Sequence, residues 1–217
     1  MTVRWLPRVM PVEGEEPEPV GPDHPMRVVT REVASGAGRW TRQRATEVNH
    51  LFDELAAEWH TRDRPGRLAP VVDALERGGD FATDGLAVEL GSGTGIATGT
   101  IAARLPRLIA VDLSMEMLRF APERVPRIRG DGAHLPFADA MVATLLLVNM
   151  LLFPAEVDRV LGTDGVLVWV STVGSFTPIY LSPEEVDVAL LGDWEIVASE
   201  AGQGTWCVAR RASMRSQ

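Results

Sequence analysis

The segment Glu89-Leu90-Gly91-Ser92-Gly93-Thr94-Gly95 sets three glycines at alternate positions between an apolar run and a run of small residues. Glycine reaches backbone conformations closed to other residues and lets the main chain approach a ligand closely. A loop of this composition between a strand and a helix can therefore wrap a small charged molecule. A dinucleotide fingerprint would need a third glycine where Ile96 stands, and no Lys-Ser/Thr follows to make a nucleoside-triphosphate loop. Glycine spacing alone is a weak signal, and a tight turn that binds nothing is the lesser alternative.

Two acids stand in register with it. Asp112 ends the next apolar run, seventeen residues beyond Gly95, where a carboxylate can accept from vicinal ribose hydroxyls. Charge-assisted bonds of that kind contribute about 1.5–3 kcal/mol each. Asp131 follows another short run, in Gly130-Asp131-Gly132-Ala133-His134-Leu135-Pro136-Phe137. A carboxylate there can accept from an adenine amino group, while Gly132 and Ala133 offer backbone to the ring. Alone, Asp131 reads as a turn residue, while for Asp112 a helix cap or a surface position is the lesser alternative. Together with the glycine loop they outline a nucleoside site.

The elements that hold these residues follow from hydrophobic spacing. Leu51, Phe52, Leu55, Ala56 and Trp59 share a helical face, and a second helix over Leu68–Arg77 ends at Gly78-Gly79. Leu86–Leu90 is a strand and Ile96–Leu105 a small-residue helix stopped by Pro106. Arg107–Asp112 is the next strand, and Ser114 suits an N-cap for the helix carrying Met117 and Leu118. Further strands fall at Arg127–Gly130, Val142–Val148 and Val166–Ser171. Strands alternating with helices imply a mostly parallel sheet covered on both faces. Ser182-Pro183-Glu184-Glu185 combines an N-cap, a proline at N1 and a capping-box glutamate. Asp193–Ser199 and Thr205–Arg211 then read as two strands joined through Gly202 and Gly204, close enough to pair antiparallel.

Ahead of this core (49–217) lies an extension (1–48) with two β-like stretches, Val3–Val12 and Met26–Val33. The Glu/Pro-rich Gly14–Asp23 between them resists regular structure. The extension is open to three readings: a flap, an edge ribbon or an arm that joins a homodimer. A net charge of -9 disfavours a nucleic-acid partner, and Arg27, Arg31, Arg39, Arg42 and Arg44 read as solvated surface cations. Cys207 is the single cysteine, which excludes an intrachain disulfide and fits a reducing compartment. The N-terminus lacks a secretory signal pattern, and the longest apolar run, Met141–Phe153, is short of the roughly 20 residues a membrane helix needs. The expectation is a cytoplasmic protein without a membrane partner. His24, His50, His60 and His134 show no metal-ligand spacing with one another or with Cys207, so no metal is expected.

Ala87–Gly95, Val111–Met117 and Gly130–Phe137 resemble the class I S-adenosylmethionine-dependent methyltransferases, in particular the small type 11 group that includes quinone-biosynthesis enzymes. The resemblance covers roughly residues 49–211. It implies a Rossmann-like, mostly parallel seven-stranded sheet with a C-terminal antiparallel hairpin. It also implies S-adenosylmethionine as cofactor, S-adenosylhomocysteine as product and a small-molecule acceptor. Glu89 with Gly91, Ser92, Gly93, Thr94 and Gly95 would hold the methionine and sulfonium part. Asp112 would take the ribose, Leu113 and Met117 would flank the adenine, and Asp131, Gly132 and Ala133 would meet its edge. Asn149 would sit beside the amino-acid end. The match departs from the family after the fourth core strand, where Met141–Phe153 lacks the acid and histidines common in relatives, and in the entry helix, where Trp59-His60 replaces the usual Tyr and Asp.

Methyl transfer from a sulfonium needs chiefly a positioned acceptor and excluded water. A general base enters only where the acceptor must lose a proton. His134, then His60, are the candidates by position, and Tyr180 could roof the acceptor; packing or solvent-facing roles compete for all three. Two other readings stand beside the enzyme: a non-catalytic protein of the same fold that binds S-adenosylmethionine or its product, and a nicotinamide-dependent oxidoreductase.

Overall fold

The computed structural model describes residues 3–12, 14, 18–36, 38 and 40–212. Arg39 of the arginine group and Glu15, Glu16 and Pro17 of the Glu/Pro-rich segment lie outside the described residues. In chain order the elements are β1 (Arg4–Trp5), α1 (Pro25–Ala34), α2 (Arg42–Leu55), a 3-10 turn (Ala56–Arg62) and α3 (Ala69–Arg77). Then come β2 (Ala87–Leu90), α4 (Thr98–Arg104), β3 (Leu108–Asp112), α5 (Met115–Phe120), β4 (Arg127–Arg129) and β5 (Val142–Val148). The chain closes with α6 (Pro154–Val160), β6 (Leu161–Ser171), a 3-10 turn (Gly174–Phe176), α7 (Pro183–Ala189), β7 (Trp194–Ala201) and β8 (Gly204–Arg211).

One sheet runs in the order β1-β7-β8-β6-β5-β2-β3-β4. β6, β5, β2, β3 and β4 are mutually parallel, and β8 pairs antiparallel with both β6 and β7. The expected parallel sheet with a terminal hairpin is present, with eight strands rather than seven. The additional strand is β1, whose two residues pair parallel with β7 at Val197 and Ala198. Two exposed residues offer no alternation from which an edge strand can be read. Chain reversal occurs beside β2: β3 lies on one side of it and β5 on the other. Ligands of open α/β sheets bind at the carboxyl ends of strands flanking such a switch point.

Alternation along the strands divides the core between the two faces. Val88, Leu90, Leu145, Leu147, Leu167 and Trp169 belong to one buried cluster, while Ala87, Leu146, Val166, Val168 and Val170 join the other with Val71, Ala74 and Ile101. Trp206 donates its indole N–H to the buried Asp73, 2.8 Å away, which also pairs with Arg77, so α3 is pinned to β8 by a satisfied polar contact inside the second cluster. Cys207 lies in β8, fully buried, and burial pushes its thiol well above the ordinary range.

The extension folds differently from its expected strands. Met26–Val33 is helical: Pro25 sits in the first turn, and the His24 side chain accepts from the Met26 N–H. Arg27, Thr30, Val33 and Ala34 form the buried stripe. The β-branched residues that suggested a strand are outweighed by this start signal and by a face at helical spacing. Of Val3–Val12 only Arg4–Trp5 is strand. The entry helix begins earlier than Asn49, at Arg42, because the Thr41 side chain caps Arg44 N–H; its last turn tightens into the 3-10 segment that carries Trp59. The capping box at Ser182 and Glu185 forms as read.

Candidate functional site

β2 delivers Glu89 and the glycine loop to the switch point. Gly91 and Ser92 donate their N–H groups to the Val111 carbonyl at 2.8 and 3.1 Å, which ties the loop to β3. Gly91, Gly93 and Gly95 all have positive φ. A Cβ at Gly91 would stand 2.5 Å from the Met150 sulfur, so only glycine fits there. At Gly93 the nearest atoms to such a Cβ are the Trp59 indole nitrogen at 3.7 Å and the Met117 sulfur at 3.9 Å, ordinary contacts; here glycine serves its φ of 56°.

Asp112, at the end of β3, is nearly buried and faces the loop. Its Oδ2 accepts from Gly93 N–H at 2.8 Å and its Oδ1 from Ser114 N–H at 2.8 Å. Burial raises its pKa against those hydrogen bonds. Glu89 is buried beneath the loop and accepts from the Thr98 hydroxyl; burial pushes its carboxyl up to about 8, with the Thr98 bond opposing and Asp112 adding to the rise. After β4, Asp131 turns toward the cavity. Its Oδ1 accepts from Ala133 N–H at 2.9 Å, and the Trp40 indole N–H reaches both of its oxygens, at 2.8 and 3.0 Å. Behind this loop Arg159 of α6 donates to the carbonyls of Leu135 and Phe137 and pairs with Glu156 and Asp139. At the end of β5, Asn149 takes a left-handed conformation, φ 50°, and its amide exchanges hydrogen bonds with Thr172 across the strand ends.

These groups line one cavity with roughly 950 Å³ of space including its mouth. Its floor is Glu89, Gly91, Ser92, Gly93, Asp112, Leu113, Met117, Asp131, Gly132 and Asn149. Its roof comes from the N-terminal helices and the segment after β6: Met26, Trp40, Val48, Phe52, Trp59, Leu68 and Ile179. Phe52 and Trp59 meet edge-to-face at 5.5 Å, as do Trp40 and Phe153 at 5.3 Å.

The family model for the methyltransferase domain matches residues 88–169. Demethylmenaquinone methyltransferase from Thermobifida fusca (strain YX) is 31% identical over 126 residues, covering 53% of this chain and 53% of that protein. The biotin biosynthesis bifunctional protein BioHC from Cellvibrio japonicus (strain Ueda107) is 32% identical over 105 residues, covering 43% of this chain and 21% of that protein. The matched stretch therefore spans about half the length of the first relative, 53%, and 21% of the second. Over those residues the chain is similar to methyltransferase domains. Solved structures share its fold. The DhpI–SAH complex aligns over 79% of this chain and 99% of its own with a TM-score of 0.63 at 21% identity. A SAM-dependent methyltransferase from Aquifex aeolicus aligns over 72% and 98% with a TM-score of 0.59 at 18% identity.

The cavity offers a donor set that fits S-adenosylmethionine. The backbone of Gly91 and Gly93 lines it, the buried Ser92 hydroxyl has no hydrogen-bond partner among the described residues, and Asp112 and Asp131 present carboxylates to it. Of the residues expected at the site, Thr94, Gly95 and Ala133 lie in the right loops without lining the cavity; Gly95 is turned to Pro122 instead. His134 is exposed and borders a shallow outer pocket with Trp40, Asn49 and Arg129. His60 is also exposed, its Nδ1 3.0 Å from the Ala57 carbonyl. Tyr180 lies beneath the Arg27 guanidinium, in a separate pocket with Phe176 and Thr205.

Several lining residues carry no sequence signal of their role. Trp40 precedes an ordinary N-cap, and Phe52 and Trp59 read simply as the apolar face of a helix. Arg67 lines the cavity before α3, and its guanidinium makes no hydrogen bond or ion pair among the described residues; burial lowers its pKa. A lone arginine after Pro65-Gly66 reads as a loop cation until the fold turns it inward.

Proposed function

We propose that this chain transfers the methyl group of S-adenosylmethionine to a small, largely apolar molecule held between the glycine loop and the N-terminal roof. The observation that carries the reading is the single cavity with a polar floor from the ends of β2, β3 and β5 and an apolar roof rich in aromatic side chains. S-adenosylmethionine supplies a methyl group on a positively charged sulfur, already activated toward displacement.

In this reading the residues hold and orient. Asp112 accepts from the ribose hydroxyls, Leu113 and Met117 lie against the adenine, and Asp131 with Gly132 meets its edge. Glu89, the backbone of Gly91–Gly93 and the Ser92 hydroxyl face the methionine part, with Asn149 at its amino-acid end. Arg67, a lining cation with no other partner, serves the carboxylate there. Phe52, Trp59 and Ile179 exclude water above the reacting centre, which strengthens every polar contact beneath them. Methyl transfer from a sulfonium asks chiefly for a positioned acceptor, and the cavity walls supply that positioning.

Isothermal titration with S-adenosylmethionine, S-adenosylhomocysteine and NAD tests the reading first. Micromolar binding of both adenosyl ligands and none of NAD is the expected result, followed by methyl transfer in a screen of apolar acceptors. Binding without turnover across that screen would favour the non-catalytic alternative, and NAD binding would overturn the cofactor assignment.

A further inference from the structure

Asp131 is gripped from two sides. Ala133 N–H and the Trp40 indole N–H both point at Oδ1, at 2.9 and 2.8 Å, and the same indole N–H reaches Oδ2 at 3.0 Å. A carboxylate offers about four lone-pair positions, two on each oxygen. Both on Oδ1 are taken, and one remains on Oδ2. The last torsion of an aspartate is intrinsically broad, so an unheld carboxylate would turn freely in a half-buried site.

Trp40 is itself held. Its ring stands edge-to-face on Phe153, and the same Phe153 ring lies 2.9 Å from where a Cβ of Gly132 would be. Thr41 caps α2 immediately after it, and Arg44 in the first turn of α2 pairs with Glu32 of α1. The indole therefore ties the junction between the N-terminal helices to the loop after β4, at a point where both line the cavity.

The geometry points to Trp40 as a positioning residue that fixes the Asp131 carboxylate so that its one remaining lone pair reads a hydrogen-bond donor at the purine 6-position. The inference rests on the cofactor reading above. It gives the N-terminal segment a part in cofactor selection: a 6-amino purine presents a donor there, whereas a 6-oxo purine presents an acceptor that the carboxylate repels.

The test compares S-adenosylhomocysteine with its deaminated analogue, S-inosylhomocysteine, by titration calorimetry on the full chain. Wild-type protein is expected to favour the adenosyl ligand at least tenfold. Trp40→Phe, which keeps an aromatic ring against Phe153 and removes the N–H, should cut that ratio to threefold or less with the melting temperature preserved. A ratio unchanged in folded Trp40→Phe, or tighter adenosyl binding from loss of a competing indole, would overturn the role of Trp40 while leaving the cofactor reading intact. Wild-type protein that binds neither ligand overturns both. The unaltered chain gives an independent readout through the indole N–H resonance that Asp131→Asn displaces. That resonance should stay in its hydrogen-bonded position when S-adenosylhomocysteine saturates the protein; movement to the position seen in Asp131→Asn overturns the inference.

Discussion

Asp112 shows how much a single side chain carries at this site. Its two oxygens bind the backbone of the glycine loop and of the α5 N-cap, so it shapes the loop before it meets a ligand. Replacing it with alanine should weaken S-adenosylmethionine binding at least tenfold, about 1.4 kcal/mol. Titration calorimetry checks this, with a melting curve to establish that the variant folds. Unchanged affinity in a folded variant removes the ribose assignment. The residue type and position were legible in the sequence, because a carboxylate at the end of the strand after a glycine loop has few other tasks. Its hydrogen bond to Gly93 was not, since the two residues meet only when β2 and β3 pair in register.

At the scale of elements, the loop carrying Asp131 owes its shape to a helix that lies far along the chain. Arg159 holds the carbonyls of Leu135 and Phe137, and with them the nearly buried Glu156, whose pKa stays low because Arg159 and the Leu135 N–H outweigh its burial. Arg159→Met would leave that carboxylate without its cation and two carbonyls without donors. The arginine is one-third exposed, which discounts the cost of breaking a buried pair; a loss of about 2–3 kcal/mol is expected in urea unfolding. A change within 0.5 kcal/mol would mean that the loop keeps its shape unaided. A trimmed helix near Ala155–Leu161 was legible only through the resemblance to the methyltransferase family. The work of Arg159 was not, because its partners stand some twenty residues earlier in the sequence and α6 reads as an ordinary short helix. Met26–Val33 makes the converse point: branched residues favour extended chain locally, yet one buried face at helical spacing and a proline start decide for α1.

For the whole molecule, the acids gathered under the glycine loop couple folding to pH. Glu89 has a folded pKa of about 8 against an ordinary 4.5, and Asp112 is displaced in the same direction. Between those two values the folded chain keeps a proton that the unfolded chain has released, so stability falls as pH rises through that window and levels off above it. Glu156 and Glu184 are displaced downward, and their contribution is lost only as pH falls below the ordinary carboxylate range. Thermal melts of the ligand-free protein should therefore show a declining midpoint from pH 5.5 to 8. Glu89→Gln should flatten that decline and be relatively more stable at pH 8. Parallel profiles for the two proteins would mean that Glu89 is solvated well enough to ionise normally.

The sequence by itself determined the parallel sheet, its terminal hairpin, the glycine loop and the acids at the strand ends, because each depends on short-range rules: period-two alternation, turn chemistry and the place of a residue at the end of its own strand. Tertiary structure alone decided what closes over them. Trp40, Phe52, Trp59 and Arg67 become cavity walls only because α1, α2 and the turn after them fold back across the switch point, while His134, His60 and Tyr180 are left outside that cavity. A side chain's chemistry is written at its own position. Whether it faces a ligand depends on the packing of elements distant in the chain, a contact energy that no local pattern encodes.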